Sequence, residues 1–285
     1  MARSLMIAVL LATVATPAPA LAAGGPAIAY SKVAGSAQEL YLVNPDGTGT
    51  RKIYTAGRKA SIGSIDLKPG GGEVAFVERS GSSTLKIIAF DAQGIPAGSP
   101  RTIAMPCAPD YIDYHPTDPI LLVTAVCGSS IGVGTIGTDG SGFALEHQGP
   151  TSTSWYGQAR WLQDGTYVYV RAISASSHQL CRNACEGSDL IYSSPTISRM
   201  DASRTTSTHL LIEQGTPFVS ELDLSTATTN FSIAGTDGHY SPDDQRILFE
   251  TPHAASGDYL HIRNADGSIF RLTGKGDYGA KDWRN

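Results

Sequence analysis

Six short apolar segments recur along this chain at an almost constant interval, and that period restricts the fold more than any single residue does. They are Ile28-Ala-Tyr-Ser, Val74-Ala-Phe-Val, Leu121-Leu-Val-Thr, Tyr167-Val-Tyr-Val, His209-Leu-Leu-Ile and Ile247-Leu-Phe-Glu. Their first residues are 46, 47, 46, 42 and 38 positions apart, within the roughly 40 to 50 residues of a four-stranded propeller blade. Such a blade cannot bury both faces of its sheet alone, so it must pack between neighbours in a closed ring. The spacing therefore predicts an all-β chain, a six-bladed β-propeller. Five blades with one enlarged unit is the alternative, but the 80 residues from Tyr167 to Ile247 divide naturally into two blades.

Turn chemistry supports the same division. Lys68-Pro-Gly-Gly-Gly, His115-Pro-Thr-Asp-Pro, Leu162-Gln-Asp-Gly and Ser241-Pro-Asp-Asp precede apolar strands; proline fixes φ, and glycine or aspartate tolerates the positive φ of a reversal. Outer hairpins are marked by Asp-Gly between apolar runs, at Asp46-Gly47, Asp139-Gly140 and Asp266-Gly267. The first repeat begins at Ile28 without an inner strand, whereas residues 279–285 have the form of an inner strand without a successor. The C-terminal strand is therefore expected to pair with the N-terminal blade, which removes two aggregation-prone edges.

The N-terminus reads as a secretory signal over residues 1–22, with Arg3, an apolar stretch from Leu5 to Val14 and the small-residue pattern Ala20-Leu-Ala22. The apolar run breaks at Pro17 and Pro19, short of the ~20 residues of a membrane span. The mature chain, 23–285, is expected to be one propeller domain with no membrane span. A net charge of −5 without a basic stripe argues against nucleic acid or anionic lipid as partner. Four cysteines in an exported chain are expected to pair. Cys107 and Cys127 flank a predicted hairpin centred near residue 117, and Cys181 and Cys185 bracket a small polar loop. Neither pair has the Cys-x-x-Cys spacing of a zinc site.

Tyr240-Ser-Pro-Asp-Asp-Gln-Arg-Ile-Leu-Phe followed by residues 260–273, Leu-His-Ile-Arg-Asn-Ala-Asp-Gly-Ser-Ile-Phe-Arg-Leu-Thr, resembles the WD-like repeat of TolB-type propellers, as do residues 41–47 and Asp282-Trp283. The resemblance covers nearly all of the mature chain, with looser matches in the middle repeats. It implies a six-bladed propeller and a periplasmic location. TolB itself has a separate N-terminal α/β domain, for which residues 23–28 leave no room.

Aligning the expected inner strands on their turns places an ionisable residue in one column of every repeat: Asp66, Asp113, Arg160, Asp201, His239 and Asp282. With a neutral histidine the column carries a formal charge of −3. Inner strands line the central channel, so these residues are candidates for a charged mouth that binds a cation or a basic peptide. The competing structural role is to accept hydrogen bonds from neighbouring backbone N–H groups. Trp155 and Tyr156, with Tyr111, lie beside inner-strand starts and are candidates for an aromatic partner contact. Trp161, Tyr240 and Trp283 occupy the repeat's packing position and are expected between blades.

No catalytic constellation is legible. Asp110, His115 and His178 have no Gly-x-Ser-x-Gly elbow to join them to Ser154 or Ser241. The glycines from Gly132 to Gly137 lie among strands with no following helix to hold a pyrophosphate. His253 and His261 are expected on the surface, and no metal or other cofactor is expected. The leading expectation is an exported, monomeric, non-enzymatic binding protein of the cell envelope that presents a propeller face or channel mouth to a protein or peptide. The alternative is a hydrolase or lyase acting on a carbohydrate or peptide at that mouth, with His239 as base.

Overall fold

A computed structural model describes residues 27–151, 155–182, 185, 189–215, 217–251 and 258–284; the expected signal segment and His253 lie outside them. The described residues form six four-stranded antiparallel sheets. The first contains β1 (Ile28–Ala34), β2 (Ala37–Val43) and β3 (Arg51–Thr55). The second contains β4 (Ser61–Leu67), β5 (Glu73–Arg79), β6 (Ser83–Ala89) and β7 (Arg101–Ile103). The third contains β8 (Ala108–Tyr114), β9 (Ile120–Cys127), β10 (Ser130–Gly137) and β11 (Ala144–Pro150). The fourth contains β12 (Trp155–Trp161), β13 (Tyr167–Ser174), β14 (Ser177–Arg182) and β15 (Leu190–Ser194). The fifth contains β16 (Arg199–Ala202), β17 (His209–Glu213), β18 (Phe218–Asp223) and β19 (Thr228–Ala234). The sixth contains β20 (Thr236–Tyr240), β21 (Arg246–Thr251), β22 (Tyr259–Asn264) and β23 (Ile269–Arg271). The last strand, β24 (Tyr278–Trp283), completes the first sheet by pairing antiparallel with β1. The chain is a six-bladed β-propeller closed by its C-terminal strand, and each repeating apolar segment is the second strand of its blade.

Among the described residues six apolar clusters hold the ring, one at each blade-to-blade interface. One joins Leu40, Leu42 and Ile53 of the first blade to Ile65, Leu67 and Phe76 of the second. Closure buries Trp283, Ile28 and Tyr30 against Leu248, Leu260 and Ile262 of the sixth. Because each blade has a neighbour on both faces, its second strand is apolar on both. Leu121 and Val123 of β9 pack toward the second blade, whereas Leu122 packs toward the fourth. This explains the continuous apolar run in place of the alternation of a half-exposed strand.

Both expected cysteine pairs are present, with Cα atoms 4.6 Å apart for Cys107–Cys127 and 4.7 Å for Cys181–Cys185. The first pins the start of β8 to the end of β9, beside the register pair Ala108 and Val126. Cys107→Ser is expected to cost about 2–4 kcal/mol through the freed unfolded chain, read as a lower urea midpoint under oxidising conditions. An unchanged midpoint would mean that this bridge does not form. The glycines of β10 serve the backbone: a Cβ at Gly134 would collide with the Ala144 carbonyl of β11, at a register break. Among the described residues no helix is long and apolar enough to cross a membrane.

Candidate functional site

The inner strands are β4, β8, β12, β16, β20 and β24, and five of them have a register break near their start. The bulged residues are Gly63 in β4, Asp110 in β8, and, two opposite one, Gly157 and Gln158 in β12, Asp237 and Gly238 in β20, and Gly279 and Ala280 in β24. Bulges bend a strand and re-aim its side chains. Gln158 and Asp237 thereby line the channel, below the six column residues.

All six column residues are buried, none more than 4% exposed. Each aspartate reaches the next blade and accepts a backbone N–H from the residue that follows that blade's column position. Asp282 takes Leu67 N at 2.8 Å, Asp66 takes Tyr114 N at 2.5 Å, Asp113 takes Trp161 N at 2.6 Å and Asp201 takes Tyr240 N at 2.9 Å. Arg160 breaks the pattern as a donor, from Nε to the Met200 carbonyl at 2.9 Å and from Nη1 to the Ile112 carbonyl at 3.1 Å. The carboxylates are thus hydrogen-bonded into the ring.

Three guanidinium groups, one of them the column's own Arg160, pair with its carboxylates. Arg160 lies 3.7 Å from Asp113 and 3.6 Å from Asp201. Arg204 Nη2 contacts Asp201 at 2.9 Å and Asp282 at 3.2 Å. Arg284 pairs with Asp113, lies 3.3 Å from Asp66 and 3.7 Å from Asp282. Burial alone would raise the Asp282 pKa, but the contacts with His239, Arg284 and Arg204 outweigh it and hold the carboxyl well below its usual range. At Asp66 burial prevails, with help from Asp282 and Asp113, and the pKa is raised despite Arg284.

Asp201, His239 and Asp282 offer ligand atoms within 4.8 Å of one another. Arg204 Nη2 already bridges Asp201 Oδ1 and Asp282 Oδ1, the same oxygens that face His239 Nδ1 at 3.9 and 3.6 Å. A guanidinium nitrogen therefore stands where a cation would bridge these carboxylates.

His239 is buried among carboxylates on both sides of its ring, with Nε2 3.4 Å from Asp237. Neither ring nitrogen makes a well-aligned hydrogen bond, so the attraction is mainly charge to charge. A neutral ring would turn one lone pair toward a carboxylate, whereas an imidazolium presents N–H to both sides. Burial depresses the pKa, yet contacts with Asp237 and Asp282 outweigh it and raise it above the ordinary 6.5. This stabilisation is complete below pH 6.5 and is lost as pH rises through the raised value. Thermal midpoints should therefore fall on alkalinisation, and His239→Gln should flatten that slope; an equal slope in the variant would contradict an imidazolium. As an imidazolium His239 would have no free lone pair to act as a base.

A second ion-pair cluster lies on the channel wall. Lys281, fully buried, reaches Asp237 at 2.6 Å and Glu250 at 2.8 Å, and Arg199 meets Asp237 at 2.8 Å. Burial would raise the Asp237 pKa, but Lys281 and Arg199 drive it well below its usual value.

The column and its arginines separate two cavities. One, of about 170 Å³, opens on the face carrying the turns that follow the inner strands. Pro69, Pro116, Gln163, Ser203, Pro242 and Arg284 line it, so every blade contributes to this vestibule. Trp161 also lines it; it packs against the apolar cluster between the third and fourth blades, as expected, and edge-on to His115 at 4.6 Å, but is half-buried and so less enclosed than Tyr240 and Trp283. The other cavity, of about 260 Å³, opens on the opposite face, where linkers enter the inner strands. Tyr111 lines it, as its place at an inner-strand start suggests. Trp155 and Tyr156 open β12 on that face, but their side chains lie outside the described part.

Among the described residues the hydrolytic groupings are not assembled. Asp110 is paired with Arg79, His115 Nδ1 accepts N–H groups from Thr117 and Asp118 in its own turn, and Ser241 is bonded to Asp243 and Arg246 N. Ser154 is outside the described residues.

No family model matches the chain, and no curated protein matches it in sequence. Solved structures do. TolB from Acinetobacter baumannii superposes with a TM-score of 0.69 at 15% identity, covering 90% of this chain and 66% of that one. This chain thus spans just under two-thirds of that protein's length. A chain of a nidogen/laminin complex gives 0.64 at 10% identity, covering 90% of this chain and 98% of that one. An oligogalacturonate lyase in complex with manganese gives 0.51 at 13% identity, covering 80% and 73%. At such identities the likeness extends to the fold, which these proteins share under very different names. The chain is a six-bladed β-propeller with the fold of TolB, and its residues must supply the argument for its work.

Proposed function

We propose that this protein is an exported, non-enzymatic binding protein of the cell envelope that docks a protein or peptide partner on the turn-face vestibule. The observation that carries this reading is the vestibule's rim, to which every blade contributes. Such a rim presents a continuous rigid contour around one opening, with three prolines, a half-buried Trp161 and the guanidinium groups of Arg204 and Arg284 at its base. Trp and Arg in a partly desolvated pocket are the usual anchors of protein recognition. The six column residues lie beneath, so the proposed partner feels their charge through the two arginines. The two disulfides suit an oxidising compartment, the signal-like N-terminus suits export, and the likeness to TolB suits a periplasmic scaffold.

The test is affinity capture from a periplasmic extract with the mature protein, compared with Gln163→Lys, which adds charge at an exposed rim position. The reading expects one stoichiometric envelope polypeptide with the parent protein and at least tenfold less with the variant. Equal capture by both would move the docking surface elsewhere.

A further inference from the structure

The cavity on the linker face has unfilled hydrogen-bonding capacity of predominantly one kind. Asp237 is the single carboxylate among its described lining residues, and Lys281, Arg199 and His239 already surround it. What remains is donors. Gln158 uses Oε1 to accept Met200 N at 2.7 Å, which leaves its Nε2. Arg160 commits Nε and Nη1 to carbonyls and keeps Nη2. Arg199 meets Asp237 through Nη1 and has a side chain 43% exposed. Arg79 pairs with Asp110 through Nη2 and lies flat against the β4 bulge, where a Cβ on Gly63 would collide with its guanidinium. The half-buried Tyr111 makes no hydrogen bond through Oη within the described residues.

We propose that this cavity binds a small hydroxy-carboxylate, a molecule of monosaccharide size or less that carries a carboxylate and hydroxyl groups. Guanidinium forks match a carboxylate with two parallel hydrogen bonds. Tyr111 Oη and the exposed Ser61 Oγ can each donate and accept, as hydroxyl partners require, and the tyrosine ring adds a flat apolar face. The cavity, about 260 Å³, has room for several waters, so a bare inorganic anion would leave most of it wet. A neutral sugar would offer the remaining guanidinium N–H groups no charged acceptor. The charged column closes the inner end, so this ligand and a partner on the turn face occupy opposite ends of the channel.

Isothermal titration with D-glucuronate and L-malate, against D-glucose and inorganic phosphate, tests the site. Gln158→Glu keeps the acceptor for Met200 N and puts a negative charge where Nε2 stood. Arg199→Gln alters a half-exposed side chain and serves as a second variant should the first unfold. Saturable 1:1 binding of at least one of the two acids is expected, with none of glucose or phosphate. Affinity should fall at least tenfold in both folded variants and about three- to tenfold in Tyr111→Phe, the range of one lost hydrogen bond. Absence of saturable binding of both acids, equal binding of glucose or phosphate, or unchanged affinity in the variants would overturn the assignment.

Discussion

Asp282→Asn is expected to cost about 3–5 kcal/mol of folding stability, the range for breaking a buried ion pair from one side. The amide can still accept the Leu67 N–H through its oxygen, so the hydrogen bond from the closing blade to the next one need not be lost. What disappears is the charge that faces Arg204, Arg284 and His239 at 3.2, 3.7 and 3.6 Å. Those cations then remain largely buried with one counter-ion fewer. Urea unfolding should show a much lower midpoint, while Asp46→Asn in an exposed turn changes it little. An Asp282→Asn protein within about 1 kcal/mol of the parent would mean that the ring contributes no net cohesion.

Lys281→Met is expected to be about as damaging, for the opposite sign of charge. It leaves Asp237 and Glu250, 6% and 7% exposed, without the ammonium that both contact. Burial already raises the Glu250 pKa against the pull of Lys281. Without the lysine it rises further, so the folded variant takes up a proton that the unfolded chain releases, and the variant gains stability as pH falls. The deficit should therefore be largest at neutral pH and shrink on acidification. Adding Glu250→Gln should recover part of it, a coupling that a double-mutant cycle reads directly. A deficit independent of pH would point to lost packing in place of stranded charge.

Local signals carried the architecture into the sequence. The apolar second strands, the Pro-Gly and Asp-Gly reversals and the unpaired strand at residues 279–285 are properties of short segments, and each corresponds to an observed element. The column was legible for the same reason, as an ionisable residue at one offset from a turn. Its compensation was not. Arg284 reaches Asp113 across 171 residues and Arg204 reaches Asp282 across 78, contacts set by ring closure and not by spacing. A buried formal charge of −3 nevertheless demands cations nearby, and Arg204 stands only three residues after Asp201. The bulges also left a trace, since Gly63, Gly157 and Gly279 each precede a column residue by three. Trp161 shows the limit of reading by position. It shares its place with Tyr240 and Trp283 and packs at a blade interface as they do, yet it is only half-buried, because it also faces the vestibule.

Photo-crosslinking from single benzoylphenylalanine substitutions, in cells exporting the protein, tests most directly whether the turn-face vestibule is where a partner docks. Gln163 lines the vestibule and Arg58 lies in the linker entering β4 on the other face; both are exposed. A discrete crosslinked envelope polypeptide from position 163 and none from position 58 is the expected result. The same polypeptide from position 58 alone, or equally from both, would contradict it.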